Sequence, residues 1–524
     1  MRFTRFLAVL SGIFLFAVTA DAAQVLRRPV SSEPDSLDPQ KTTSADPIAI
    51  DQDLFVGLAV LDKDEKPVPG AAQGWDVSAD RRIWTFHLRP DAKWSNGDPV
   101  TSADFLYSFR RLVDPATGAS SSVALSQVVG YDAIISGQEK DLSKLGVEAP
   151  DPLTLRITLS EPRVAFAFLI TDWSLLPLHR ASIEQWGRAW TQPGHLVSNG
   201  PYSLVSWTPQ SDIVLKKNPL FYDADAVKID EVHWLNVEDA ASGLRRFRAG
   251  ELDWIGLGRN DIDWAKKNLR DQYHFAPANQ LTFMPINMTK GPLAQDVRLR
   301  EALNLAIDRD VLVGKIDPRG EQAAYSLLPP VISDYTAQPM SFIAESHAER
   351  LEKAKSLMAA AGFGPEHPLT VTASYSGNES NRQLLLAIGA MWKPIGVDLK
   401  LDGKEFQIMM SSVNQRNYEI AILTEAPSYN DYEYALGGFR GDAGLFNVTG
   451  YASDKFDDLF KRGSVATDVA VRRDFMQRAE RTLTEDFPFI PLEFGVLNRV
   501  INPKLRGPVA TQSNPQTRLL SFEP

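Results

Sequence analysis

An α/β fold divided into several domains is what this sequence predicts, and three observations carry the prediction. Helix-like and strand-like segments alternate between residues 347 and 402, the order expected when crossover helices join parallel strands. The chain has 524 residues, which at roughly 100–200 residues per domain implies two to four domains. Its 44% hydrophobic and 23% charged content is that of a globular chain able to bury large cores.

The elements follow in order. MRFTRFLAVLSGIFLFAVTADAA places Arg2 and Arg5 before an apolar run from Phe6 to Val18, then small residues suited to cleavage after Ala20, Ala22 or Ala23. Residues 1–22 therefore read as a secretory signal peptide, too short and wrongly flanked for a membrane anchor, and the mature protein is expected to be exported and soluble. QVLRRPVSSEPDSLDPQ begins as a short strand and breaks into a turn-rich segment at Pro29, Pro34 and Pro39. In RRIWTFHLRPDAKWSNGDPV, Trp84, Phe86 and Leu88 alternate with Ile83, Thr85, His87 and Arg89, a period-two strand with one buried face, and Asn96-Gly97 supplies a tight turn. Thr101 with Asp104 predicts a capping box opening the helix in TSADFLYSFRRLV, whose Phe105, Phe109, Leu112 and Val113 share one face. GPYSLVSWTPQSDIVLKKNPLFY reads as two strands around a proline-containing turn. VRLREALNLAIDRDVLVGKI predicts one amphipathic helix with Leu299, Leu303, Ala306 and Ile307 inward. HAERLEKAKSLMAAAGF predicts a helix ended by Gly362 and followed by the strand HPLTVTASYS, and NRQLLLAIGAMWKPIG a helix stopped near Pro394 before the strand VDLKLDG.

The composition excludes several chemistries. There is no cysteine, so thiol catalysis, cysteine metal sites and lipid attachment at a cysteine are out, and stability must come from core burial. The seven histidines show no ligand spacing such as His-x-x-x-His, and neither a metal nor a cofactor is expected. No Gly-x-Ser-x-Gly elbow, phosphate loop or Gly-x-Gly-x-x-Gly segment is present; GLGRN at 256–260 reads as a turn, and Asp35 and Asp38 as turn and capping residues. The net charge of −11, without a basic run, gives no expectation of a nucleic-acid partner. Eleven tryptophans and thirteen tyrosines could line a ligand cleft as well as fill a core. Near the end of the chain TEAPSYNDYEYAL gathers Glu425, Asp431, Tyr429, Tyr432 and Tyr434 around Pro427 and Asn430. By composition it fits a catalytic loop, a ligand-reading loop or a tyrosine-rich surface turn.

Residues 51–118, DQDLFVGLAVLDKDEKPVPGAAQGWDVSADRRIWTFHLRPDAKWSNGDPVTSADFLYSFRRLVDPATG, closely resemble the extracellular solute-binding proteins, family 5, that serve peptide-importing ABC transporters. Further matching blocks are LSEPRVAF, WTQPGHLVSNGPYSLVSW, VLKKNPLFYDADAVKIDEVHW, RFRAGELDWI, DVRLREALNLAIDRDVLV, KAKSLMAAAGF and YASDKFDDLF, in the family's order. The resemblance implies a periplasmic-binding-protein-like α/β fold of the type II, cluster C kind: two lobes joined by a hinge, built from three domains of which the base domain is discontinuous. Domain I would comprise 24–55, 181–280 and 498–524, domain II 56–180, and domain III, the second lobe, 281–497. It also implies a monomeric, non-enzymatic periplasmic protein that encloses a peptide or peptide-like solute by hinge closure and delivers it to a permease driven by ATPase subunits.

Carried over residue by residue, the resemblance assigns ligand main-chain pairing to Thr43, Ser44 and Ala45 from one lobe and Thr424, Glu425 and Ala426 from the other. The family's ligand-amine motif, (Ala/Gly)-Asp-Tyr-(Asn/Pro), reads PSYN here: Ser428 stands where the aspartate belongs, Tyr429 follows it, and Glu425 replaces a tryptophan. Asn381, Val413 and Ile422 stand where long-peptide binders carry basic residues. Either shifted residues replace these anchors, with Glu425 meeting the amine and Arg382 or Arg416 a carboxylate, or the ligand differs. A murein-derived peptide would place charges unusually. The alternatives are a non-peptide solute on the same fold, such as an opine, oligosaccharide, metal chelate or haem, and, more remotely, a secreted hydrolase.

Overall fold

The computed structural model describes residues 23–523 apart from Thr43, Ser333 and 428–430, so the expected signal peptide lies outside the described residues. No helix among the described residues is long and apolar enough to cross a membrane.

Four principal sheets organise the chain. The first has the order Val25–Val30, Glu231–Asn236, Asp212–Lys217, Tyr202–Thr208; its first pair is parallel and the others antiparallel. The second is antiparallel: Ala72–Val77, Ile83–Leu88, Thr154–Thr158, Val147–Asp151. Alternation works here as expected, because Trp84, Phe86 and Leu88 are buried while the residues between them are not. The following helix, Ser102–Val113, opens with the Thr101/Asp104 capping box and buries Phe105, Phe109, Leu112 and Val113. Both sheets share one apolar core, which the tail closes through Leu505, Val509 and Leu520. Arg28 lies at the base of that core, over the Trp234 ring and 3.8 Å from Asp53, with Thr517 of the tail bonded to both.

Two long antiparallel strands, Tyr273–Pro285 and Phe489–Ile501, run between this region and the second one. At their first end Val500 packs with Val237, Leu244, Phe247 and Ile255; at the other, Met284 and Ile490 enter a separate core. Gly495 permits a close approach midway: a Cβ there would lie 2.3 Å from the Gln280 side-chain oxygen, beside the irregularity between Pro277 and Leu281. Trp254–Gly256 joins one edge of this sheet and Leu423–Glu425 the other.

The fourth sheet is parallel throughout, with Leu369–Ser376 between Val397–Lys404 and Ile420–Ala421. Glu379–Trp392 is the crossover the alternation predicts, joining Leu369–Ser376 to Val397–Lys404; His347–Ala360 leads into the sheet, and Gly362 adopts φ 86° just past its end. One expectation is corrected. VRLREALNLAIDRDVLVGKI is not a single helix, because a helix at Val297–Leu305 stops and Asp308 caps a new turn with its carboxylate on the Val311 amide at 3.2 Å. Leu299, Leu303, Ala306 and Ile307 nevertheless all face inward.

Candidate functional site

The stretch 420–425 passes from one sheet to another. Ile420–Ala421 belongs to the parallel sheet, whereas Leu423–Glu425 pairs with the long strand, Thr424 facing Thr282 and Glu425 facing Leu281. On its far side Leu423–Glu425 has no partner strand among the described residues, so its outer amides and carbonyls are available to an extended ligand.

Beside this edge opens a cavity of about 610 Å³, within the range of small-molecule sites. Every residue lining it comes from between Phe283 and Thr449. The wall is mostly apolar, with Phe283, Met409, Met410 and Phe439 among its residues, and Asn378, Asn381 and Asn414 supply amides. Glu425 is the one charged residue lining it among the described residues; Tyr434 is the other titratable group there. As a residue Glu425 keeps part of its surface open. Its carboxyl, though, is stripped of most water by the packing around it, and this desolvation, with no charged or hydrogen-bonding partner among the described residues to offset it, pushes it up to about 7.

The other expected residues fall in different places. Asn381 lines the cavity from the first turn of Glu379–Trp392, its amide nitrogen 3.4 Å from the Ser376 hydroxyl. Arg382, next along that helix, points to solvent and pairs with Glu379 at 3.3 Å, outside the cavity. Arg416 donates from its guanidinium to the carbonyls of Gly444 and Asn447, both at 3.0 Å, and so anchors the loop bearing Leu445 and Phe446 at the cavity rim. Val413 and Ile422 are buried and apolar, Ile422 in the cavity wall. In the first lobe an extended run through Ala45 is not present. Ser44 is extended, but Ala45 begins the helix Ala45–Leu54 because the Ser44 carbonyl already accepts the Ile48 amide at 3.2 Å. Ala426 is exposed beyond the edge strand, and Thr43, Ser428 and Tyr429 lie outside the described residues.

Sequence reasoning missed two parts of the site. The helix Phe406–Asn414 brings Phe406, Met409 and Met410 to the cavity; the Glu405 cap before that apolar spacing was the available signal. The second is an ion-pair network just after the edge strand. Asp431 caps the short helix Tyr432–Gly437 and is held by both terminal nitrogens of Arg472, which also reaches Glu433 at 2.7 Å. Glu433 is bonded in turn to Arg163, from the region of the second sheet, and all four side chains are buried. Glu161–Lys461 at 3.0 Å and the Val164 amide on the Ser464 carbonyl reinforce the same contact. Burial alone would raise the Glu433 carboxyl, but Arg163 and Arg472 outweigh it and hold it below its ordinary range. Folding also gathers three buried carboxylates that no sequence spacing revealed, Asp317, Glu321 and Glu493, around the Arg319 guanidinium, which lies 2.9 Å from the first two and 3.7 Å from the third.

Two lobes spanned by long paired strands, bridged across their faces and carrying an open strand edge beside a cavity, have the α/β construction of the periplasmic-binding-protein-like fold. Comparison with known proteins then gives the family. The sequence model described as "Bacterial extracellular solute-binding proteins, family 5 Middle" matches residues 66–447. The chain is 35% identical over 495 residues to the periplasmic oligopeptide-binding protein OppA of Escherichia coli, covering 94% of this chain and 90% of that protein. It is 33% identical to the periplasmic murein peptide-binding protein MppA of the same organism over 488 residues, 92% of this chain and 90% of the relative. The structure of Haemophilus influenzae OppA in complex with RPPGFSPFR superposes with a TM-score of 0.82 at 31% identity, covering 96% of this chain and 99% of that one. The chain belongs to the bacterial extracellular solute-binding proteins, family 5.

Proposed function

We propose that this protein is the periplasmic solute-binding component of an ABC importer, which encloses a peptide or peptide-like solute between its lobes and hands it to a membrane permease coupled to ATPase subunits. It works as a monomer and catalyses no reaction. The similarity to oligopeptide- and murein-peptide-binding relatives supports the ligand class and the compartment. In this reading the base lobe is 24–55, 181–280 and 498–524, the inserted domain 56–180 and the second lobe 281–497, with the long strands as the hinge.

One observation carries the proposal: a carboxylate with no partner among the described residues, Glu425, sits on an open strand edge beside a cavity with no other charged residue in its described lining. The ligand's main chain adds to Thr424–Ala426 as a further strand, and its ammonium meets Glu425, doing the work that an aspartate at Ser428 would otherwise do. Ser44 is the remaining extended contact from the base lobe.

Calorimetry with ordinary and cell-wall peptides, together with mass spectrometry of the small molecule that co-purifies, tests the reading. An intact peptide with a free ammonium is the expected ligand. A co-purified non-peptide, or turnover of the bound molecule, would overturn it. Ser428→Asp and, separately, Glu425→Gln show which position reads the amine: loss of binding in the second variant is expected.

A further inference from the structure

The cavity's rim is unusual for a protein surface. Phe406, Leu445 and Phe446 are 52%, 71% and 39% exposed, and all three line it. Large apolar side chains left in water around one concavity mark a place where apolar ligand surface is covered. Inside, Met409, Met410, Phe283 and Phe439 continue the apolar wall, and methionine's unbranched thioether adapts to irregular shapes. Glu425 lines the same cavity.

No lysine, arginine or histidine lines the cavity among the described residues, and residues 428–430 are serine, tyrosine and asparagine. An anion placed there would lose its water and gain no counter-charge, which is costly. A cation beside Glu425 gains a charge-assisted partner, and an apolar group beyond it gains the wall. The arrangement therefore complements a molecule with a positive charge and a bulky apolar group a few bonds apart.

Resting on the peptide reading above, we infer that this second-lobe cavity is a selective subsite for an aromatic or long aliphatic side chain on the ligand residue that bears the free ammonium. Arg416 is a positioning residue for it, because its bonds to the Gly444 and Asn447 carbonyls hold Leu445 and Phe446 at the rim. Since every described lining residue lies between Phe283 and Thr449, within the second lobe, the subsite is formed by that lobe before the lobes close on a ligand.

The test is calorimetry on the full mature chain with the tripeptides Phe-Gly-Gly, Ser-Gly-Gly and Asp-Gly-Gly, repeated on Leu445→Ser and on Leu445→Ser/Phe446→Ser. The wild-type chain should bind Phe-Gly-Gly about tenfold or more tighter than Ser-Gly-Gly, from apolar burial alone. Asp-Gly-Gly should be the weakest. The double variant should narrow the Phe-to-Ser ratio to within roughly threefold, and the single variant, at a highly exposed position, should shift it the same way by less. Equal affinities for the three peptides, or a ratio that both variants leave unchanged, would overturn this inference and leave the peptide reading standing. Binding of none of the three, nor of any other peptide, would overturn both.

Discussion

Glu425 and Glu433 lie close together on one stretch of chain, and their surroundings are opposite. Glu433 is buried and held by two arginines, Arg163 across the lobes and Arg472 within its own, so its carboxyl titrates below its ordinary range despite burial. Glu425 is desolvated and held by nothing among the described residues, so its carboxyl is pushed up to about 7. A buried charge whose partners are supplied by the fold serves the fold. One whose partner is missing weakens the unliganded protein and strengthens whatever complex supplies the partner. The comparison separates the piece of the segment that the fold holds with arginines from the piece proposed to meet the ligand.

The largest effect should come from breaking the satisfied side. Arg472→Met leaves Asp431 and Glu433 buried without their main counter-charge and should cost about 4 kcal/mol in urea unfolding. Arg163→Met should cost less, about 3 kcal/mol, since Glu433 keeps Arg472, and it should also favour the open arrangement of the lobes in small-angle scattering. Unfolding midpoints equal to wild type in both variants would remove the distinction between the two carboxylates.

Glu425→Gln should act on the other side of the comparison. Affinity for an amine-bearing peptide should fall about thirtyfold, near 2 kcal/mol, the worth of a charge-assisted bond. The unliganded variant should be more stable at pH 8 by about 1–2 kcal/mol. A smaller effect follows from pH alone. Folded Glu425 holds its proton up to about 7 rather than at 4.5, so between those values the folded chain binds more protons than the unfolded one, and the unliganded protein loses stability as pH rises. Peptide affinity runs the other way, rising about tenfold from pH 5.5 to 7.5 with proton release near neutrality, measurable by calorimetry in buffers of different ionisation enthalpy. Glu433 contributes the reverse trend to stability: its share is present above the ordinary carboxylate range and is lost on acidification. The smallest effect should be Arg382→Ala, within about 0.5 kcal/mol in stability, because its pair with Glu379 is solvent-exposed. Peptide affinity should also be unchanged, and a large loss of it would return Arg382 to the site.

Much of the fold was legible because the signals were local. The Thr101/Asp104 cap, the period-two face of Ile83–Leu88 and the glycine stop at Gly362 each depend on neighbours a few residues away. The one helix misread as continuous was lost to a local competitor, since Asp308 offers its side chain to the Val311 amide and reopens the chain. The site was less legible. The resemblance pointed to Glu425 and to the absent anchors, yet sequence proximity also nominated Arg382 and Arg416, which the structure turns to solvent and to a loop's carbonyls. Direction of a side chain off a helix or loop depends on packing that adjacency in sequence does not contain.

By itself, then, the sequence determined the class of fold, the order of its helices and strands, and the residue types available between Thr424 and Leu436, because propensity, capping and periodicity are short-range properties. Tertiary structure decided what those residues are for. It set two glutamates of one short stretch in opposite environments by bringing Arg163 and Arg472 to one and, among the described residues, a cavity lining with no counter-charge to the other, and pairings over such separations are written in the packing of lobes.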